Sequence, residues 1–144
     1  LPHEPFVYDE NGNSVENKNG NDKSAYLSQL KFSETKILEI IDAIQSHSPY
    51  AVIILISDHG YRSEINWENP KKIDHMRGFN TITSFYFPMS YDEIPSEISG
   101  VNIFRIFFNS YFNADFKILE NRHMWYTADK PFDHTEVSKT FKEI

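Results

Sequence analysis

The stretch AVIILIS, residues 51–57, followed directly by Asp-His-Gly at 58–60, decides the fold class. The run is apolar and largely β-branched on both faces, which is typical of a strand covered on both sides, as in a parallel sheet flanked by helices. Before it, apolar residues recur at helical spacing from residue 24 to the Ser-Pro pair at 48–49, which predicts an amphipathic helix. We therefore expect an α/β fold with a mainly parallel central sheet.

Downstream patterns extend this organisation. A second strand is predicted over residues 81–87, where Pro88 ends it. A second helix is predicted from Val101, with Ser99 as its cap, and its aromatic face is expected to lie in the core. Residues 116–119 are a short strand candidate.

Three segments lack a clear pattern. Residues 9–23 are rich in Asn, Gly and charge, so we expect a mobile surface loop there. Residues 61–80 are longer than an ordinary connection and are therefore a candidate functional loop. Residues 120–144 form a weakly patterned tail.

The composition limits the class of protein. The chain has 144 residues and a net charge of −7 with scattered Lys and Arg, which argues against nucleic acid as a partner. Its longest apolar run is far shorter than the roughly 20 residues that cross a bilayer, so we expect a soluble segment without a membrane span. Because it has no cysteine, any metal must be held by His, Asp, Glu or Asn. The chain begins at Leu1, and we expect it to be a piece of a longer protein.

The strongest chemical signal is the pair Asp58 and His59 at the end of the buried strand. Ligands bind at the carboxyl ends of strands in open α/β sheets, so this position predicts a site. The pair offers an oxygen and an imidazole nitrogen to one divalent ion, and Gly60 lets the backbone turn away. The alternative is that Asp58 caps the next helix and His59 is an exposed neighbour.

His3 is a second candidate, in the segment PHEPF at residues 2–6. Prolines on both sides restrict the backbone and present the imidazole rigidly. Taken alone, such a histidine is more often a turn residue than a catalytic one. It gains weight only in combination with Asp58 and His59.

Several motifs in register resemble the sulfatase-like hydrolases and transferases of the alkaline phosphatase superfamily, which are related to lipoteichoic acid synthases and phosphoethanolamine transferases. The resemblance covers residues 1 to about 125. Its motifs are His-x-Pro-Phe at 3–6, Tyr-x-x-Gln-Leu at 26–30, Ser-Asp-His-Gly at 57–60, Tyr-Phe-Pro at 86–88, ISGVNIFR at 98–105 and FNSYF at 108–112.

The resemblance implies the C-terminal portion of an alkaline-phosphatase-like catalytic domain, a three-layer sandwich, in residues 1–144. Asp58 and His59 match the family's metal ligands, and His3 matches a histidine that contacts the transferred group. A nitrogen ligand favours zinc or manganese over calcium. The substrate class is a small-molecule, lipid or glycan ester of phosphate or sulfate. The nucleophile lies in the half of the domain that is absent here, so this chain alone is expected to be inactive.

The resemblance further implies a parent protein that is membrane-anchored, with its catalytic domain outside the cytoplasm. Two alternatives stay open: a non-catalytic α/β module in which Asp58 and His59 are turn residues, and a true sulfatase. His75 is weighed as an additional ligand against an exposed loop histidine. Arg62 could meet an anion. Trp67 and Trp125 are either ligand platforms or packing residues.

Overall fold

The fold is known from a computed structural model that describes residues 2–18, 22–89, 94–95 and 98–141. Helices and short strands alternate along the chain, which confirms the expectation of a mixed helix and strand protein. The elements are β1 Phe6–Tyr8, β2 Ser14–Lys18, α1 Lys23–His47, β3 Ile53–Ile56, α2 Lys72–Phe79, β4 Thr83–Tyr86, α3 Gly100–Phe112, β5 Met124–Thr127, β6 Lys130–Glu136 and a 3₁₀ helix Ser138–Phe141.

Within the described residues the strands form three antiparallel pairs, β1 with β2, β3 with β4 and β5 with β6. The expected parallel sheet is therefore not seen. The reason lies in the chain path after β3: Gly60 N–H donates to Gly78 O at 2.9 Å. This bond returns the end of α2 to the carboxyl end of β3, so β4 must run back along β3 in the opposite direction.

The apolar faces of these elements are not fully covered by the described chain. Ile56 of β3 is 45% exposed, although the sequence predicts a strand buried on both sides. On α3 the aromatic stripe that was expected in the core is open as well, with Phe104 at 49%, Phe108 at 40% and Phe112 at 66% exposure. The buried face of α3 instead carries Asn102, Ile103 and Ile106.

The total accessible surface also indicates that apolar faces are left uncovered. The chain exposes 10481 Å², whereas a compact monomer of 16.9 kDa exposes about 7,700 Å². The excess of about 2,800 Å² is larger than the roughly 1,600 Å² that a standard protein interface buries. No helix within the described residues is both long and apolar enough to cross a bilayer.

The segment 9–23 contains more structure than its composition predicts. The Asp9 carboxylate accepts hydrogen bonds from the backbone N–H groups of Asn11 (2.9 Å) and Asn13 (2.8 Å), which closes a turn. Gly12 adopts the left-handed φ of 82° that the turn requires. The chain then pairs as β2 with β1, and Asp22 caps α1 through Ala25 N at 3.0 Å.

Three further segments differ from the pattern-based expectations. Residues 61–80 contain the helix α2, and the tail contains β5 and β6. Residues 116–119 are not a strand, because side chains of α3 bind their backbone groups. Asn109 bonds both Phe116 N and Phe116 O at 2.9 Å, and the buried Asn102 bonds Leu119 O at 2.8 Å and Leu119 N at 2.9 Å. The Ser99 hydroxyl does not cap α3.

The front of the chain is attached to α1 by hydrogen bonds to Gln29 and by packing of aromatic rings. Gln29, 9% exposed, accepts with Oε1 from Val7 N at 2.8 Å and from Tyr8 N at 3.1 Å. Phe6, 3% exposed, packs its ring edge-on against Tyr26 with ring centroids 5.9 Å apart. These contacts fix where the segment that carries His3 leaves the body of the protein.

We expect Gln29→Ala to detach β1 from α1, because two backbone N–H groups lose their shared acceptor. The free energy of unfolding should fall by about 1–3 kcal/mol, as for other half-buried donors left unsatisfied. Urea denaturation measures this change. The matched control is Gln45→Ala, which removes the same amide from the same helix and should have a much smaller effect. Equal losses in both variants would contradict the role of Gln29.

Candidate functional site

The turn after β3 is fixed from both sides by hydrogen bonds. Ser57 N donates to Ile82 O at 3.0 Å, and Ile82 N donates to the Ser57 hydroxyl at 3.0 Å, so Ser57 extends the pairing of β3 with the chain entering β4. On the other side Gly60 N bonds Gly78 O at 2.9 Å. Asp58 and His59 lie between these two anchors and are therefore held on a constrained backbone.

Gly60 is required by a close approach of two backbones. A Cβ at this position would overlap the carbonyl oxygen of Arg77 and would lie 2.7 Å from that of Asn80. Only glycine allows the turn to pack against the C-terminal end of α2. The glycine of the Ser-Asp-His-Gly motif is thus explained by packing, independently of any ligand.

The His59 imidazole is oriented by its own turn. Nδ1 lies 2.7 Å from Gly60 O, and because a carbonyl oxygen only accepts, we assign the proton to Nδ1. The other ring nitrogen, Nε2, lies 3.7 Å from Oδ2 of Asp58. The His59 side chain is 20% exposed and that of Asp58 is 83% exposed. An imidazole held through Nδ1 in this way is the arrangement typical of a metal-binding histidine.

Asp58 is ready to act as an anionic ligand. Partial desolvation raises the pKa of its carboxyl group, but the nearby His59 and hydrogen bonds from backbone N–H groups lower it, and the net pKa lies below the ordinary value. The carboxylate is therefore ionised at neutral pH. It lies beside the imidazole of His59, and a carboxylate with an imidazole is a mixed ligand pair that zinc accepts.

The spacing of the two donor atoms fits one divalent ion. Two ligands at about 2.1 Å from a tetrahedral zinc are about 3.4 Å apart, close to the 3.7 Å between His59 Nε2 and Asp58 Oδ2. Among the described residues no third His, Asp or Glu joins them to form a larger metal-binding group. The described residues therefore present two ligands of a candidate site.

His3 lies next to this pair. Its ring centroid is 6.2 Å from that of His59, with the rings nearly perpendicular at 75°. The two imidazoles are 56 positions apart in the chain. They are brought together by the contacts of β1 with α1, in which Phe6 packs on Tyr26 and the Val7 and Tyr8 N–H groups donate to Gln29. Tyr26 of α1 also packs on Tyr61, with centroids 4.6 Å apart, which links the front segment to the turn after His59.

A cleft of about 890 Å³ opens beside Asp58 and His59. Its aromatic wall consists of Trp67, 39% exposed, stacked on the buried Trp125 with centroids 5.1 Å apart and an interplanar angle of 22°. Arg62 also lines it. The volume is in the range of small-molecule sites. His3, within the described chain, is adjacent to His59 but is not part of this lining.

The loop that carries Trp67 is held by a buried carboxylate. Asp74, 4% exposed, accepts from Lys71 N at 2.8 Å and from Asn66 N at 3.2 Å. Its position at the N-terminal end of α2 also favours the charged form. These backbone hydrogen bonds, that of Lys71 above all, lower the pKa of Asp74, although desolvation opposes them.

His75, the additional ligand considered from the sequence, lies in different surroundings from those expected. His75 lies on α2 rather than on a loop, and its ring packs on Trp125 with centroids 4.7 Å apart. Burial lowers its pKa, opposed by the charge of Asp74, so it is neutral at pH 7. In the tail the sequence suggested Trp125 alone, as a ligand platform or a packing residue, whereas residues 124–130 all line the cleft. The one signal for this was an aromatic pair, Trp125 and Tyr126, in a polar tail.

We expect Gly60→Ala to destabilise the fold and displace His59, because the added methyl group meets backbone carbonyls that cannot move aside. The loss should be about 1–3 kcal/mol in urea denaturation, as for overpacked sites. Gly100→Ala is the control: nothing lies within 4 Å of its Cβ position, and alanine favours a helix. If Gly60→Ala is tolerated as well as Gly100→Ala, the close approach is refuted.

Asp74 should make stability depend on pH. Because the folded pKa lies below the unfolded value of about 3.9, its contribution is complete above that pH and is lost as the pH falls through the folded pKa. We expect Asp74→Asn to be less stable than the parent at pH 7, with the difference shrinking below about pH 4. Denaturation at a series of pH values measures this, with Asp115→Asn as the control for loss of charge. A difference that persists at pH 2 would contradict the mechanism.

Neither protein-family models, nor curated proteins, nor solved structures contain a match to this chain. The roles of His3, Asp58 and His59 stay predictions. They rest on the chemistry of the side chains and on their distances from one another.

Proposed function

We propose that this chain forms one side of the active site of a metal-dependent hydrolase or transferase acting on phosphate or sulfate esters. The observation that carries the proposal is the meeting of His3 with the Asp58–His59 pair, with ring centroids of the two histidines 6.2 Å apart. The Asp58 carboxylate and His59 Nε2 would hold the ion. The substrate class is a small-molecule, lipid or glycan ester, with no role for nucleic acid.

The donor set favours zinc or manganese over calcium, because calcium takes oxygen ligands and His59 offers nitrogen. When bound, the ion supplies Lewis-acid polarisation of the ester and neutralises the charge that develops on its oxygens. The constrained turn between Ser57 and Gly60 preorients both ligands, which reduces the entropy lost on binding.

His3 is proposed to act on the ester itself. An exposed imidazole near the ligand pair can donate a hydrogen bond to a nonbridging oxygen or protonate the leaving oxygen. The proposal assigns the attacking alkoxide to a Ser or Thr outside these 144 residues, so the chain alone is inactive. The parent protein is proposed to be membrane-anchored with its catalytic domain outside the cytoplasm.

The uncovered surface supports a larger catalytic domain. The excess of about 2,800 Å² over a compact monomer, together with the open faces of β3 and α3, is what a segment of a bigger core would present. We propose that β3 and β4 belong to a larger, mainly parallel sheet in a three-layer sandwich, whose other strands come from polypeptide outside this chain.

Metal binding by this chain tests the ligand pair. We expect zinc or manganese to bind weakly, as a two-ligand site implies, and calcium to bind more weakly still. Asp58→Asn and His59→Gln should each reduce zinc affinity at least about tenfold, since loss of even an outer-shell partner costs 10- to 100-fold. Isothermal titration measures the affinities, and His47→Gln on the far end of α1 is the matched histidine control. Unchanged zinc affinity in both site variants would refute the assignment.

Activity tests the reaction. The full-length protein should hydrolyse bis-nitrophenyl phosphate with zinc or manganese, and His3→Gln, Asp58→Asn and His59→Gln should each reduce the rate at least about 100-fold. Preference for nitrophenyl sulfate with calcium would identify a sulfatase instead. Absence of both activities, with normal folding, would favour the non-catalytic α/β binding module.

A further inference from the structure

Arg62 differs from the other arginines of the chain in what its guanidinium contacts. Arg77 pairs with Glu64 at 3.1 Å and Arg122 pairs with Glu136 at 2.6 Å. Arg105 lies over the Phe116 ring, 5.8 Å from its centroid, and its guanidinium donates to Lys117 O at 3.1 Å. The Arg62 guanidinium lies over the Trp67 ring, 5.8 Å from its centroid, and within the described part of the chain no carboxylate lies within ion-pair distance of it.

The Trp67 ring beneath Arg62 is held in place by other aromatic rings. Trp67 stacks on Trp125, which is 9% exposed and packs in turn on Phe79 and on the ring of His75. At the backbone, Arg62 O accepts from Ile65 N at 3.1 Å, which closes a turn directly after the site. A cation held over an aromatic ring keeps its N–H groups available at its edge.

Arg62 also lies in the right place for the proposed chemistry. It follows Asp58 by four residues and lines the same cleft as Asp58 and His59. Three acidic residues line this cleft too, namely Asp58, Glu68 and Asp129. The other cation in the lining, Lys130, lies beside Asp129 and interacts electrostatically with that carboxyl group. An extended polyanion would be repelled by these carboxylates, whereas a ligand with one compact anionic group can place it at Arg62.

We propose that Arg62 is the anion-binding residue of this cleft and recognises the tetrahedral oxyanion of a phosphate or sulfate ester. This inference rests on the proposed function and deepens it, because it names the residue that selects an anionic ester. The planar guanidinium donates two parallel hydrogen bonds to two oxygens of the group. Lysine offers only a point charge and is a poorer substitute.

The two tryptophans of the chain provide the readout, because both line the cleft and the chain has no others. Phenyl phosphate and phenyl sulfate are titrated separately while Trp fluorescence is recorded, first without metal and then with zinc. We expect at least one of the two to bind, and Arg62→Gln to weaken that binding about tenfold or more, as for loss of a charge-assisted hydrogen-bond pair. Arg62→Lys should lie in between. The stronger of the two ligands tells phosphate from sulfate recognition.

Lys117→Gln is the control for loss of one positive charge, since Lys117 is exposed and does not line this cleft. Circular dichroism establishes that Arg62→Gln is folded, and Arg62→Lys is the fallback variant if it is not. Three results would overturn the inference: no binding of either ester by the parent chain, equal binding by Arg62→Gln, or equal weakening by Lys117→Gln.

The two proposals fail separately. If zinc binds at Asp58 and His59 but Arg62→Gln binds the phenyl esters as the parent does, the anion-binding role falls and the metal site stands. If zinc does not bind but the esters still require Arg62, the metal-dependent function falls and the anion-binding role stands.

Discussion

The candidate site depends on the amide of Gln29. Its Oε1 accepts hydrogen bonds from the backbone N–H groups of Val7 and Tyr8, so two adjacent residues of β1 are attached to α1. Phe6 and Tyr26 complete the attachment, and Tyr26 reaches Tyr61 beyond the Asp58–His59 turn. Without this series of contacts His3 would belong to an exposed terminal segment and would have no fixed relation to His59. The two hydrogen bonds that Gln29 of α1 accepts thus determine whether His3 can take part in a site with His59, which lies 56 residues later in the chain.

The local patterns predicted elements better than they predicted how the elements pair. Helical spacing gave α1 nearly to its ends, and the β-branched run and the residues before Pro88 gave β3 and β4. The predicted direction of β4 was wrong because it depends on the hydrogen bond from Gly60 N to Gly78 O. This bond joins the segment after β3 to the last turn of α2, and hydrophobic periodicity does not reveal such a contact. The aromatic stripe of α3 was predicted to lie in the core because its side chains are apolar. Apolar character shows that a face can be buried, but it does not show what covers that face. The strand expected at 116–119 failed because Asn102 and Asn109 compete for its backbone groups.

The site was predictable where it depends on chain position and not where it depends on distant contacts. Asp58 and His59 follow a strand directly, so their placement at its end was predictable. Gly60 was expected to let the backbone turn, whereas the structure requires it for the close approach to the carbonyl groups of Arg77 and Asn80. The cleft beside them was not, because its aromatic wall joins Trp67 to Trp125 across 58 positions. Arg62 was visible in the sequence as a possible anion contact, but its surroundings were not. Among the described arginines it is the one that both stacks on Trp67 and lines the cleft beside Asp58 and His59.

The open aromatic face of α3 affects how readily the chain associates with itself in solution. Phe104, Phe108 and Phe112 form an exposed apolar stripe through which two copies can associate. Association is opposed by electrostatic repulsion between chains that each carry a net charge of −7. That repulsion vanishes near the isoelectric point of about 5.3 and is screened by salt. The chain handled by itself should therefore stay dispersed in dilute, slightly alkaline buffer and cluster reversibly in mildly acidic or saline solution.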